Sequence, residues 1–311
     1  MPCVWCVCNT RHKAQGTYMM TSRQKSLLKY AFAALLLFVI LRKTDTGEIT
    51  AYFKKIAFSH IILCLLLVTL AQVSASLRMR FFFLRNGFPI RPGYAIILFY
   101  VGAFYNFLLP GGIGGDAYKV IVAKKRLEMS SRQGIRIMIA DRASGLCILI
   151  LMMLATLGTF NIQFPFAAIV LCLSAVITLI GYVLCSHILL KQSPGIMLMS
   201  LPYSLVTQML WLMTLYTLWD SLGSHQDFNA YIVLYAAASV ASLIPSPPGG
   251  LGVKEGTYFY GATLMNQYGG TSVDGELGVA ISLCIFALTF IASLPGVLWL
   301  NKVSKEEIWR V

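Results

Sequence analysis

Two short runs in this sequence set helix-breaking and charged residues side by side: Pro110-Gly111-Gly112-Ile113-Gly114-Gly115-Asp116 and Pro248-Gly249-Gly250-Leu251-Gly252-Val253-Lys254-Glu255. Each closes an apolar stretch, and each reads Pro-Gly-Gly-aliphatic-Gly with a carboxylate within three residues. Such a break frees backbone N–H groups at the start of the following helix, where the macrodipole is positive, and so prepares a site for an anion such as a phosphate. In a membrane, irregular backbone is tolerated only inside protein or along a wet cavity, and matched breaks in two halves of a chain point to a transport site. The plainer reading is that Gly and Pro only permit a tight hairpin or a close helix contact; the duplication favours the site.

Nearby charges refine the chemistry. Asp141 and Arg142 fall about one turn into an apolar segment, where charge is tolerated only if paired or facing water. Arg142 is the leading candidate for a lipid phosphate, because its planar fork matches two oxygens. The alternatives are a structural Asp141–Arg142 pair or an arginine snorkelling to the interface. Asp116 and Glu255, the latter beside Lys254, suit a cationic or hydroxyl-bearing headgroup or a coupling proton. Equally, they suit plain capping of the short helices. Asn106, one turn before Pro110, joins the candidate set with Gly111, Gly112, Gly114, Gly115, Gly249, Gly250 and Gly252.

Enzyme signatures are missing: there is no H-E-x-x-H, G-x-S-x-G, P-loop or D-x-D pair, so no catalytic residue or cofactor is assigned. Cys64, Cys147, Cys172, Cys185 and Cys284 sit in apolar segments, as small hydrophobes do. Cys3, Cys6 and Cys8 with His12 have a spacing that fits a metal, against a frayed cytosolic tail or a true start at Met19 or Met20. The tail reading is preferred, and no metal is expected. At 58% hydrophobic, 12% charged and a mean hydropathy of +0.73, the chain is too apolar for a soluble domain of its length. Its net charge of +13 lies between apolar segments, so it reads as loop orientation and attraction to an anionic inner leaflet rather than nucleic-acid binding.

The elements that must position these residues follow from membrane thickness. At about 20 apolar residues per crossing, eight segments emerge: Ser26–Leu41, Ile56–Ser76, Tyr94–Leu109, Ile137–Phe160, Phe166–Leu190, Ile196–Trp219, Phe228–Ile244 and Gly278–Leu300. The third and seventh are short and end in the Pro-Gly-Gly runs. Were all eight to cross, the basic stretch Lys119, Lys124, Lys125, Arg126, Arg132 and Arg136 would lie outside, against the positive-inside bias. Making the third and seventh re-entrant hairpins returns that stretch to the cytoplasm, where it reads as a helix lying on the inner leaflet. Arg42, Lys43, Lys54 and Lys55 then fall outside, only partly offset by Asp45 and Glu48, the one loop that resists. Ser26 to Pro110 is about 84 residues and Phe166 to Pro248 about 82, so the halves match. The expectation is an all-α integral membrane protein with six full spans and two re-entrant hairpins in an inverted repeat. Residues 1–25 form a basic cytosolic tail, 26–160 and 161–300 the two halves, and 301–311 a second cytosolic tail. Both termini are expected in the cytoplasm and the spans in the cytoplasmic, or inner, membrane.

Three motifs taken together resemble a known family. They are Asn106-Phe-Leu-Leu-Pro-Gly-Gly-Ile-Gly-Gly-Asp116, then Arg136 with Asp141-Arg142-Ala-Ser-Gly145, then Ile244-Pro-Ser-Pro-Pro-Gly-Gly-Leu-Gly-Val-Lys-Glu255. They are similar to the membrane region of the lysylphosphatidylglycerol synthase family, from roughly the first segment through the eighth. The resemblance implies a flippase-like domain, which in the multiple peptide resistance factor moves an aminoacylated phospholipid across the cytoplasmic membrane. Lysyl transfer is not expected, because the soluble aminoacyl-transferase domain has no counterpart between Met1 and Val311. The expected function is movement or binding of a phosphate-bearing lipid, phospholipid or polyprenyl-linked, with membrane lipids as partners. The alternatives are a membrane-embedded lipid-modifying enzyme using Asp116, Asp141 and Glu255 as acid–base groups, or a non-transporting partner of a separate lipid-modifying enzyme.

Overall fold

The computed structural model describes residues 46–108, 114–160, 166–222, 227–243, 250–268 and 272–300. Outside them lie the expected first span, the cysteine-rich N-terminus, the candidate residues Gly111, Gly112 and Gly249, and the tail from Asn301. Among the described residues there is no strand. The helices are α1 (Thr46–Lys55), α2 (Phe58–Arg85), α3 (Pro92–Leu108), α4 (Gly114–Leu127), α5 (Ser131–Leu157) and α6 (Ala167–Leu190). There follow α7 (Pro194–Ser221), α8 (Phe228–Ala241), α9 (Val253–Tyr268), α10 (Gly275–Ser293) and the short α11 (Pro295–Leu298).

Helix ends sit where sequence chemistry puts them. Ser130 and Gln133 form a capping box at the start of α5, and the Asp274 carboxylate accepts the N–H groups of Glu276 and Leu277 to open α10. Asn86 closes α2 by donating to Phe82, and it exchanges amide hydrogen bonds with Gln192 in the turn between α6 and α7. Ahead of α2, Tyr52 on α1 donates its hydroxyl to the Asp274 carboxylate, which docks α1 and its Lys54 and Lys55 beside the start of α10.

Among the described residues, five helices are long and apolar enough to cross a membrane: α2, α5, α6, α7 and the α10–α11 pair. Helices α3 and α8, with 17 and 14 residues, are shorter. At 1.5 Å per residue they reach only ~26 and ~21 Å against a hydrocarbon core of ~30 Å. Each folds back on its successor, α3 on α4 and α8 on α9.

At the centre α2 and α7 pack along their length, joined by a 2.9 Å hydrogen bond between the Ser74 and Thr207 hydroxyls. The other pairings come in matched sets. Where α2 packs on α3, α7 packs on α8; where α4 packs on α5, α9 packs on α10; and where α5 reaches α7 and α8, α10 reaches α2 and α3.

One segment boundary differs from expectation. The apolar stretch expected to end at Ser76 continues as helix to Arg85 and carries Arg78 into the protein, where it is buried. Its cost there is offset by partners on two other helices, so the charge does not end the helix.

Candidate functional site

The first hairpin is built on a backbone crossing. A Cβ at Gly115 would collide with the Gly102 carbonyl, so α3 and α4 approach closer than any side chain at 115 would permit. The Asn106 side-chain carbonyl accepts the Gly115 N–H at 2.8 Å, taking one of the donors freed at the start of α4. One residue on, buried Asp116 gathers two cations: Lys119 from its own helix at 3.2 Å, and the Nε of Arg142 from α5. Lys119 is itself buried, with its stem against Gly102 and its ammonium 4.3 Å from the Phe99 ring centroid. Arg142 keeps 41% of its side-chain surface open, so this three-charge cluster carries a net positive charge with one reachable face.

Asp141 and Arg142 do not pair with each other, which corrects one expected alternative. Successive helical residues diverge by about 100°, and here that sends them to different neighbours. Asp141 turns inward to Arg78, whose Nε and Nη2 donate to its two carboxylate oxygens at 2.8 and 3.4 Å. Arg78 also donates to Ser204 on α7, which donates to Ser144 on α5. Three spanning helices are thereby stapled through one buried charge pair, the kind of network that is strongly destabilised when one partner is lost. Asp141 belongs to this scaffold and Arg142 to the hairpin.

The second hairpin solves the same local problem without an ion pair. Glu255, 1% exposed, accepts the Gly252 N–H at 2.6 Å, the bond of a helix cap. Its other oxygen accepts the Ser282 hydroxyl from α10 at 2.9 Å. Gly250 and Gly252 hold φ of +80° and +84°, a left-handed backbone that favours glycine and lets the chain turn into α9. The Lys254 stem and the Ser242 Cβ both lie close against Gly250.

Of the candidate residues, Asn106, Gly115, Asp116 and Arg142 come together in one cluster, with Gly114 opening α4 beside it. Gly250, Gly252, Lys254 and Glu255 form the other. Sequence reasoning missed Arg78, Lys119 and Ser282 as partners. The stretch from Lys119 was expected to lie on the inner leaflet, yet Lys119 is buried while Lys124 and Lys125 are exposed. A signal for Arg78 existed: the Phe81-Phe82-Phe83 run beyond Arg80 keeps the segment apolar past the charges.

With this geometry in view, comparison identifies the chain. The family described as Lysylphosphatidylglycerol synthase TM region matches residues 26–296. No curated protein matches the chain. The chain belongs to that family, and is an integral membrane protein related to lipid metabolism.

Proposed function

We propose, proceeding from that membership, that this protein carries phosphate-bearing lipids, phospholipid or polyprenyl-linked, between the leaflets of the cytoplasmic membrane. The observation that carries the reading is the matched pair of hairpins, each opening on a carboxylate with a cation close by: Arg142 at the first and Lys254 at the second. Arg142 offers its open face to a phosphate, which competes with Asp116 for the guanidinium. The matched pairings support two halves, 26–160 and 161–300, in inverted orientation, and the short α3 and α8 support re-entrant hairpins between six spans.

A lipid also needs a lane for its chains. Between α2 and α7, Leu70, Ser74, Leu77, Pro202, Tyr203 and Val206 line a groove of about 440 Å³. It leads to the Phe81–Tyr203 ring pair and to Arg85, whose guanidinium lies 5.5 Å from the Phe81 ring centroid. An acyl chain fits this apolar lane. The enzyme alternative is less well supported, because Asp116, Asp141 and Glu255 are each already engaged as ion-pair or hydrogen-bond acceptors.

The test is reconstitution. Purified protein in liposomes should speed the exposure of fluorescent phosphatidylglycerol to an impermeant quencher; rates equal to protein-free liposomes overturn the proposal. The orientation has its own check, since a cysteine at Lys124 in a cysteine-free background should label only from the cytoplasmic side. Labelling from outside intact cells removes the first hairpin.

A further inference from the structure

The two central helices each carry one glutamine at the same place. Helices α2 and α7 are both 28 residues long, and Gln72 and Gln208 are each the fifteenth residue, halfway along. The helices run antiparallel, since Ser74 meets Thr207 while Cys64 meets Thr214. The fifteenth residue of one therefore lies level with the fifteenth of the other, near the middle of the membrane.

Their hydrogen bonding is not matched. Gln208 donates its amide to the Gly145 carbonyl on α5 at 3.2 Å. Gln72 is 5% exposed and neither atom of its carboxamide has a partner. A buried amide with both atoms unsatisfied is unfavourable and calls for an explanation. The surrounding packing supplies one, because α10 lies on α2 as α5 lies on α7. Pro110 and Pro248 are 138 residues apart, and Asp116 and Glu255 are 139 apart. By those offsets, Leu283 or Cys284 stands to Gln72 as Gly145 stands to Gln208.

We propose that Gln72 and Gln208 are alternate latches of one two-state element. In the state described, Gln208 holds α5 and Gln72 is idle; in the opposite state Gln72 donates to the Leu283 or Cys284 carbonyl on α10 while Gln208 releases Gly145. This rests on the transport reading, since exchange between two mirrored states is what gives the idle amide a partner.

The experiment compares Gln208→Leu, Gln72→Leu and the double variant in vesicles, with single reporter cysteines at the half-buried positions Tyr105 in the first hairpin and Thr257 in the second. Loss of either latch should change the ratio of the two labelling rates by about five-fold, the ratio set by one net hydrogen bond. The two single variants should move it in opposite directions, and the double variant should restore it. Gln72→Asn, polar but too short, should behave as Gln72→Leu. If Gln72→Leu only raises thermal stability and leaves both rates unmoved, or both variants loosen both hairpins, the latch is wrong. Lipid translocation is followed alongside. Opposed labelling shifts without translocation keep the latch and remove the transport reading, whereas translocation with unmoved labelling removes the latch alone.

Discussion

Asp116 and Glu255 both stand in the first turn of a hairpin's second helix, and each is met by a side chain 26 or 27 residues further along: Arg142 for Asp116, Ser282 for Glu255. Around Asp116 the partners are two cations and one face stays open. Around Glu255 they are a hydroxyl and a backbone N–H, and the carboxylate is sealed. The same place in two halves thus holds a counterion in one and a cap in the other. A carboxylate that restrains cations can be outcompeted by an incoming anion, whereas one that ends a helix serves best by staying put. Under the transport function proposed above, the first hairpin is the one suited to meet a guest and the second the one suited to hold shape.

Removing each carboxylate is the strongest way to break that contrast. Asp116→Ala leaves buried Lys119 without a counter-charge and should cost ~3–5 kcal/mol, while Glu255→Ala strands one hydroxyl and one N–H and should cost ~1–3 kcal/mol. Thermal unfolding and the monodisperse fraction in detergent report both, and equal losses would erase the distinction. Adding Lys119→Met to Asp116→Ala should recover much of the first loss.

Next comes the separation of scaffold from site within α5. Because Asp141 pairs with Arg78, adding Asp141→Ala to Arg142→Ala should not rescue anything; it should lower stability by a further ~3–5 kcal/mol. Recovery of folding in the double variant would mean that residues 141 and 142 act as one pair after all.

Translocation by the Arg142 series is expected to fall from wild type to Arg142→Lys to Arg142→Ala. Loss of a charge-assisted contact of ~1.5–3 kcal/mol corresponds to roughly 10–150-fold in lipid affinity. Lys254→Ala should weaken binding less than Arg142→Ala if the first hairpin carries most of the anion.

The gentlest change sharpens the comparison. Glu255→Gln keeps its carbonyl oxygen on the Gly252 N–H, and its NH2 can donate to a Ser282 hydroxyl that turns round to accept, so its effect on stability should stay within ~1 kcal/mol. Asp116→Asn keeps the shape but removes the charge that holds Lys119 and Arg142, and should be clearly worse in the same melting assay.

The sequence disclosed the breaks between α3 and α4 and between α8 and α9 because a Pro-Gly-Gly run repeated beside a carboxylate is a local signal, and it disclosed the long apolar helices because membrane thickness sets a length. Partners were harder to read. Asp141 and Arg142 are neighbours in the chain, which invites pairing, but the helical turn between them sends one toward α2 and the other toward α4. Arg78 looked like the end of a segment because hydropathy averages cannot register a counter-charge that arrives from 63 residues away. Lys119 looked like part of an exposed basic stripe because nearby Lys124 and Lys125 are exposed. What hydropathy could not supply was tertiary pairing, the information that decides whether a charge in a membrane helix is a boundary or a bolt.

The crossing of α3 and α4 bears on how this protein can vary. Every amino acid but glycine carries a Cβ, and every single-nucleotide change that leaves a glycine codon for another amino acid adds one. At position 102 the added carbon meets first the stem of Lys119, which must shift against its hold on Asp116, and then the Gly115 carbonyl at 3.1 Å; at 115 it meets the backbone of Gly102, which cannot yield. Two glycines facing each other across one contact are thus unequal as mutational targets. In a saturation library Gly102 should admit alanine at a cost in stability as Lys119 shifts, while Gly115 should return only itself, leaving a one-letter column in the middle of the first hairpin.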